Sequence, residues 1–204
     1  MARRTPPDRR ESILAAARAE FAARGYAGTR LEDVAARVGI SKAALYLQFA
    51  DKQALFRAMI DWLLANHLPG AVPPEVAGAG AAKQLEALVA LAAARIAEGE
   101  IAFLPRLIIG ESGNFPEIAK TYHDRAIARV LGLIESIVAG GIASGEFRAV
   151  DPALAARSVA GGIMIGALWR TVLEPAGAPP LDLKALAASH ADILLHGLIA
   201  GDAK

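Results

Sequence analysis

The chain of 204 residues contains no cysteine. That excludes a disulfide scaffold, thiol chemistry and cysteine-ligated zinc. Histidine is scarce: the four are His67, His123, His190 and His196, and no pair has the His-x-x-x-His spacing. Neither a metal site nor a cofactor is expected. Asp192 and His196 share a helix face at i, i+4, which reads as a surface pair. Long uncharged runs are also lacking. The longest stretch without Asp, Glu, Lys or Arg is 13 residues, Trp62 to Pro74, whereas a helical membrane span needs roughly 20 apolar residues. No membrane segment is expected. The start of the chain, MARRTPPDRRES, has a positive flank with no apolar run behind it, which predicts no secretory signal and a cytoplasmic location. Alternating strand patterns are absent, so there is no Gly-rich phosphate loop after a strand. GESG at 110–113 lacks the strand–turn–helix setting of a hydrolase nucleophile. No catalytic site is expected.

What is abundant is alanine, with 47 residues. It inflates the hydrophobic fraction of 54%; the remaining apolar content is ordinary for a globular chain. Ala, Leu, Arg and Glu are good helix formers, and apolar residues recur at helical spacing. Ile13, Leu14, Ala17 and Phe21 share one face of a helix over about 8–24, which Gly25 should end. Further helices are predicted over about 31–38, 42–48, 51–67, 83–97, 101–111, 116–144, 152–173 and 183–200. A loop rich in Pro and Gly occupies 69–82. The pair Gly140-Gly141 marks either a kink or a close packing site. The class is all-α with about nine helices.

The net charge of +1 conceals a division. Residues 1–57 hold 11 Lys and Arg against six Asp and Glu, and the rest of the chain holds 11 against 15. A basic head joined to an acidic body is the footprint of a polyanion binder. The competing reading is a solvated basic face. The segment 31–48 is more specific. A short helix, the turn Gly39-Ile40-Ser41 and a second short helix have helix–turn–helix spacing, in which the second helix enters the DNA major groove. Val34, Ala35, Val38, Ile40 and Leu45 are small or apolar, so the helices can cross closely. Ser41 is a plausible N-cap, and Lys42 faces the groove.

The stretch GISKAALYLQFADKQALF at 39–56, preceded by AARAEFAARGYAGTRLEDVAARVG at 16–39, strongly resembles the DNA-binding signature of the TetR (tetracycline-repressor-like) transcriptional regulators. Phe21, Gly25-Tyr26, Thr29, Asp33-Val34-Ala35, Gly39, Ser41, Leu45-Tyr46, Phe49, Lys52 and Leu55-Phe56 carry it. The resemblance implies that Tyr46 meets the DNA backbone and nearby bases and that Lys52 binds phosphate. It places Ser41, Lys42 and Ala44 on the exposed front of the recognition helix. Three positions depart from the family. Gln48 stands where His or Tyr is usual and can contact phosphate or adenine. Arg30 replaces a capping Ser or Thr; Thr29 with Glu32 can supply a displaced capping box, freeing Arg30 for phosphate. Ala50-Asp51 alters the next turn, where Asp51 can cap the fourth helix. Arg3, Arg4, Arg9 and Arg10 form either a solvated tail or an arm along DNA.

The resemblance divides the chain into a helix–turn–helix domain at 1–50 and a ligand-binding and dimerisation domain at 51–204, with 51–67 as the connecting helix. It implies a homodimer on a near-palindromic double-stranded DNA operator, joined through the last two helices in a four-helix interface. Small residues Ala156, Ala160, Gly162 and Gly166, and Leu186, Ile193, Leu194, Gly197 and Leu198, suit either that face or packing within the chain. The segment 103–124 is similar to an AcrR-like branch of the family, whose body encloses an effector. Candidate ligand-binding residues are Trp62, Phe103, Arg106, Leu107, Tyr122, His123, Met164 and Trp169. The expected function is a transcriptional repressor released from its operator by a small, largely apolar effector. A helical interaction module without DNA binding is the competing class, and the basic helix–turn–helix separates the two.

Overall fold

The computed structural model describes residues 9–67 and 71–199. Arg3 and Arg4 of the N-terminal arm lie outside the described residues. Among those described there are nine continuous helices and no strand, so the all-α expectation stands. In chain order they are α1 Arg9–Gly28, α2 Leu31–Val38, α3 Lys42–Tyr46, α4 Lys52–His67, α5 Ala81–Ala97 and α6 Phe103–Glu111. The seventh runs continuously as α7 Pro116–Tyr122 and α8 Ala128–Ala143, joined by a π-helical turn at His123–Ile127. The last two are α9 Pro152–Leu168, which ends in a π-helical turn at Trp169–Leu173, and α10 Leu183–Leu198.

Local chemistry explains the boundaries. Gly25 leaves helical geometry at φ 72°, ψ −179°, but one further turn follows to Gly28. The expected stop at Gly25 is therefore a break inside α1. Gly39 closes α2 in the left-handed region at φ 76°, which only glycine adopts cheaply. Ser41 Oγ accepts the Ala44 N–H at 3.1 Å and caps α3. Asp51 Oδ1 accepts the Ala54 N–H at 2.7 Å and caps α4. Asp151 and Asp182 do the same for α9 and α10. The α5 N-terminus is capped from a distance: the Glu146 carboxylate accepts the Ala81 and Ala82 N–H groups at 2.7 and 2.9 Å.

Two results differ from the sequence reading. The Thr29–Glu32 capping box does not form. Thr29 is buried and its hydroxyl donates to the Gly25 carbonyl at 2.6 Å, while Arg30 is the N-cap of α2 without a side-chain bond. The Thr29 hydroxyl is thereby turned back onto α1 and away from the start of α2. The recognition helix α3 is also shorter than expected, because Leu47 and Gln48 already belong to the turn.

Buried side chains form two clusters. The first unites α1–α4 with α6 and α7 around Phe21, Tyr26, Phe56 and Leu104. The Phe56 ring sits edge-on to Phe21 and Tyr26 at 5.3 and 5.5 Å. The second unites α5, α8, α9 and α10 around Leu88, Ile134, Val138 and Val159. The head therefore has no core separate from α6 and α7. Gly141 is a close packing site rather than a kink: a Cβ there would collide with the Phe147 ring and lie 2.8 Å from Ala81 Cβ, whereas Gly140 has open space.

By length and composition two helices can cross a membrane, Pro116–Ala143 and Pro152–Leu173, with mean hydropathy 1.7 and 1.3 over 18 residues. Core helices of soluble proteins meet the same test, so the expectation of no membrane segment is not overturned. That expectation counted uninterrupted runs, and Arg129 and Glu135 interrupt the first helix without making it polar overall. In the fold α8 and α9 pack in the second cluster and α7 in the first, and most residues of the two apolar stretches are not fully buried within one chain.

Candidate DNA interface and effector cavity

The α2–Gly39–α3 unit is held onto α1 by charge. Buried Glu20 accepts from Arg37 at 2.8 Å and pairs with Arg24 at 3.2 Å, and Arg24 also pairs with Asp33 on α2. Removing Glu20 would leave the Arg37 guanidinium without its anchor and Arg24 with Asp33 alone. With Leu45 and Phe49 buried, α3 turns its other face outward: Ser41, Lys42, Ala43, Tyr46, Leu47 and Gln48 are exposed, and Ala44 is half-buried. Arg30 is exposed at the start of α2. The Lys42 ammonium pairs with Glu32 and lies 5.6 Å from the Tyr46 ring centroid. Their hydrogen bond holds the Glu32 carboxyl below its usual range and the Lys42 ammonium above its own. Both are fully solvated, so phosphate can replace Glu32 at little cost. The face carries Lys42, Arg30, one phenol, one amide and one hydroxyl. That set fits a phosphate backbone flanked by base edges.

Lys52 departs from the phosphate role that the resemblance implies. Its ammonium donates to the carbonyls of Tyr26, Ala27 and Thr29 at 2.7, 3.3 and 3.3 Å, and it lies 4.7 Å from the Tyr26 ring centroid. Three donors meet three carbonyls, which leaves none for DNA. Burial lowers its pKa. The N–H groups of the same segment are taken from the other side. The Glu111 carboxylate, at the end of α6, accepts the Tyr26 and Ala27 N–H groups, each at 2.6 Å. A Cβ on Gly25 would collide with that carboxylate. Sequence reasoning missed Glu111 as a joint between head and body, because nothing in the chain order links residue 26 to residue 111.

The body holds a cavity of about 120 Å³ between α5, α6, the α7–α8 helix and α9. Of the eight candidate ligand residues, Tyr122 and Met164 line it. The other six lie elsewhere. Phe103 and Leu107 are buried in the first cluster, and Trp62 packs against it. Arg106 donates to the Ala22 carbonyl at 2.8 Å and is a strut from α6 to α1. His123 is exposed beside Asp124, and Trp169 Nε1 donates to the Pro179 carbonyl at 2.9 Å. For the aromatic candidates the separation from the cavity has one cause. Aromatic size indicates burial but not which of two clusters buries it. Apart from Tyr122, Met164 and Pro105, the wall is Ala, Val, Ile and Leu, residue types that occur everywhere in this chain. Burial pushes the Tyr122 phenol up to about 12.

Three small residues of the last helices, Ala156, Gly162 and Gly166, serve packing within the chain, whereas Ala160 lines the cavity and Gly197 is exposed. Ala156 is fully buried, Gly166 lies against Leu183 and Leu186, and a Cβ on Gly162 would lie 2.5 Å from the His190 ring. Leu198 is buried as well. The outward apolar residues are the large ones: Leu154 and Ile193, 64% and 67% exposed, with Ile165, Val172, Leu173 and Ile199.

Two family models match the chain. Residues 13–59 match the bacterial regulatory proteins of the tetR family, and residues 83–196 match the C-terminal domain of AefR-like transcriptional repressors. A curated relative is the biofilm operon icaADBC HTH-type negative transcriptional regulator IcaR of Staphylococcus epidermidis. It is 38% identical over 55 residues, which cover 23% of this chain and 30% of that protein. The match thus spans under a third of the relative's length. Among solved structures, the transcriptional regulator FadR of Bacillus subtilis, in complex with stearoyl-CoA, is similar with a TM-score of 0.75. It is 21% identical, with 92% of this chain and 98% of that one covered. AibR, in complex with isovaleryl coenzyme A and operator DNA, is similar with a TM-score of 0.71, 21% identity and the same coverages. With more than half of its length matched by the AefR-like C-terminal model and its helix–turn–helix by the tetR model, the chain belongs to the TetR family of bacterial transcriptional regulators.

Proposed function

We propose that this chain is a cytoplasmic, homodimeric repressor that binds a near-palindromic operator and is released from it by a small, largely apolar effector. The observation that carries this reading is the outward face of α2 and α3, a short Ser41-capped helix presenting Lys42 and Tyr46 beside Arg30 and Gln48. Residues 1–50 read DNA and residues 51–204 bind the effector and the second copy, with α4 between them. The effector site is the apolar cavity behind α6. Dimerisation through the last two helices is supported by their exposed Leu154, Ile165, Ile193 and Ile199. IcaR is a negative transcriptional regulator, FadR is in complex with stearoyl-CoA, and AibR is in complex with isovaleryl coenzyme A and operator DNA. The fold thus accommodates both halves of the mechanism.

Effector binding favours a dimer whose recognition helices no longer sit one DNA turn apart, about 34–36 Å. Affinity for DNA then falls because the effector binds the DNA-incompetent state better, and DNA weakens the effector by the same factor. Selecting bound duplexes from a random pool identifies the operator. Binding should weaken steeply with salt. Lys42→Ala and Tyr46→Ala should each lower affinity without changing the oligomeric state measured by sedimentation. Wild-type protein with no salt-sensitive duplex binding would end this reading.

A further inference from the structure

The cavity has one polar feature. Of the 17 residues lining it, only Tyr122 has a polar side chain, and none is charged. No cation of the surrounding helices lines it: Arg95 pairs with Glu98, Arg106 with the Ala22 carbonyl and Arg125 with Asp61, and Arg129 and Arg170 are exposed. Among the described residues the Tyr122 hydroxyl has no hydrogen-bond partner. The Tyr122 side chain is partly buried and its hydroxyl still meets open space, so an acceptor atom held in the cavity is one way to satisfy it. A carboxylate or phosphate in this cavity would lose its hydration with no cation to receive it. A volume of about 120 Å³ is close to the 150 Å³ of an apolar cavity that holds benzene.

Resting on the effector reading above, we propose that the cavity selects an uncharged, ring-sized apolar molecule with a single hydrogen-bond acceptor, which the Tyr122 hydroxyl meets. The cavity wall then sets size and shape, and Tyr122 sets orientation. Any net charge on the buried part of the ligand is rejected.

The test uses the full chain and three probes: benzene, cyclohexanone and cyclohexanecarboxylate at neutral pH, titrated by saturation-transfer NMR. Benzene and cyclohexanone should bind, with the carboxylate at least about 100-fold weaker than the ketone. Tyr122→Phe should weaken cyclohexanone about 3- to 10-fold and leave benzene unchanged. Ala160→Phe fills the cavity and should remove both, with Ala160→Val as a milder variant; operator binding by each variant reports that it has folded. A carboxylate bound as tightly as the ketone, and lost in Ala160→Phe, overturns the neutral-ligand proposal and leaves the cavity as effector site. Equal ketone affinity in wild type and Tyr122→Phe also overturns it, as does wild-type protein that binds none of the three. Binding that survives Ala160→Phe in a folded protein overturns the effector reading of the cavity itself.

Discussion

Glu111 carries the most discriminating test of how head and body are joined. Its two carboxylate oxygens accept the Tyr26 and Ala27 N–H groups at 2.6 Å each, across 84 or more residues of sequence. These donors lie just after the break at Gly25, so helix geometry does not satisfy them. A hydrogen bond to a charged group contributes about 1.5–3 kcal/mol. The site is partly open to water, so the lower part of that range applies, and the pair together contributes about 2–4 kcal/mol. Glu111→Ala should therefore lower the urea midpoint with an unchanged slope. The corresponding fall in Tm is about 4–16 °C for a chain of this size. Glu111→Gln is the sharper variant. Its amide oxygen can accept one N–H, but its NH2 then confronts the other, so it should still lose about 1–3 kcal/mol. Because the segment leads directly into α2, both variants should also weaken operator binding. If Glu111→Gln matches wild type within about 0.5 kcal/mol, the joint is not held as described.

Other variants separate structure from DNA contact. Lys52→Met removes the donor to three carbonyls and should destabilise the head by about 1–3 kcal/mol. The salt dependence of operator affinity should not change, whereas Lys42→Ala should reduce that slope by about 0.9 per phosphate contact with stability nearly intact. Tyr26 and Tyr122 are each pushed up to about 12, Tyr122 by burial and Tyr26 by burial together with nearby Glu117, Asp51 and Glu111. Between pH 10 and 12 the unfolded chain therefore binds fewer protons than the folded one, and stability should fall as pH rises through that window. Ultraviolet titration checks this; loss of stability that begins well below pH 10 would assign the transition to other groups. Gly141→Ala, whose Cβ meets Phe147 and Ala81, should cost about 1–3 kcal/mol. Gly140→Ala, with open space, should be neutral or stabilising by up to about 1 kcal/mol; equal effects in denaturant melts would contradict the packing at Gly141.

Local interactions made much of this protein legible in its sequence. Helix periodicity, Gly39 and the caps Ser41, Asp51, Asp151 and Asp182 act within a few residues, so the order of elements could be read from neighbours alone. The helix–turn–helix was legible for the same reason, and so was the charge division between head and body. Only the tertiary structure decided which partners the functional side chains take. Lys52 looks like a phosphate ligand until the Tyr26 carbonyl is found 2.7 Å away, and Thr29 looks like a cap until it folds back onto Gly25. Glu111 has no local signature, because its partners lie 84 and 85 residues away. The cavity was the least legible part. Its wall is mostly Ala, Val, Ile and Leu, indistinguishable along the chain from the same residues in either core cluster. Which of them leave a gap depends on how four helices cross, a property of packing that no single segment encodes.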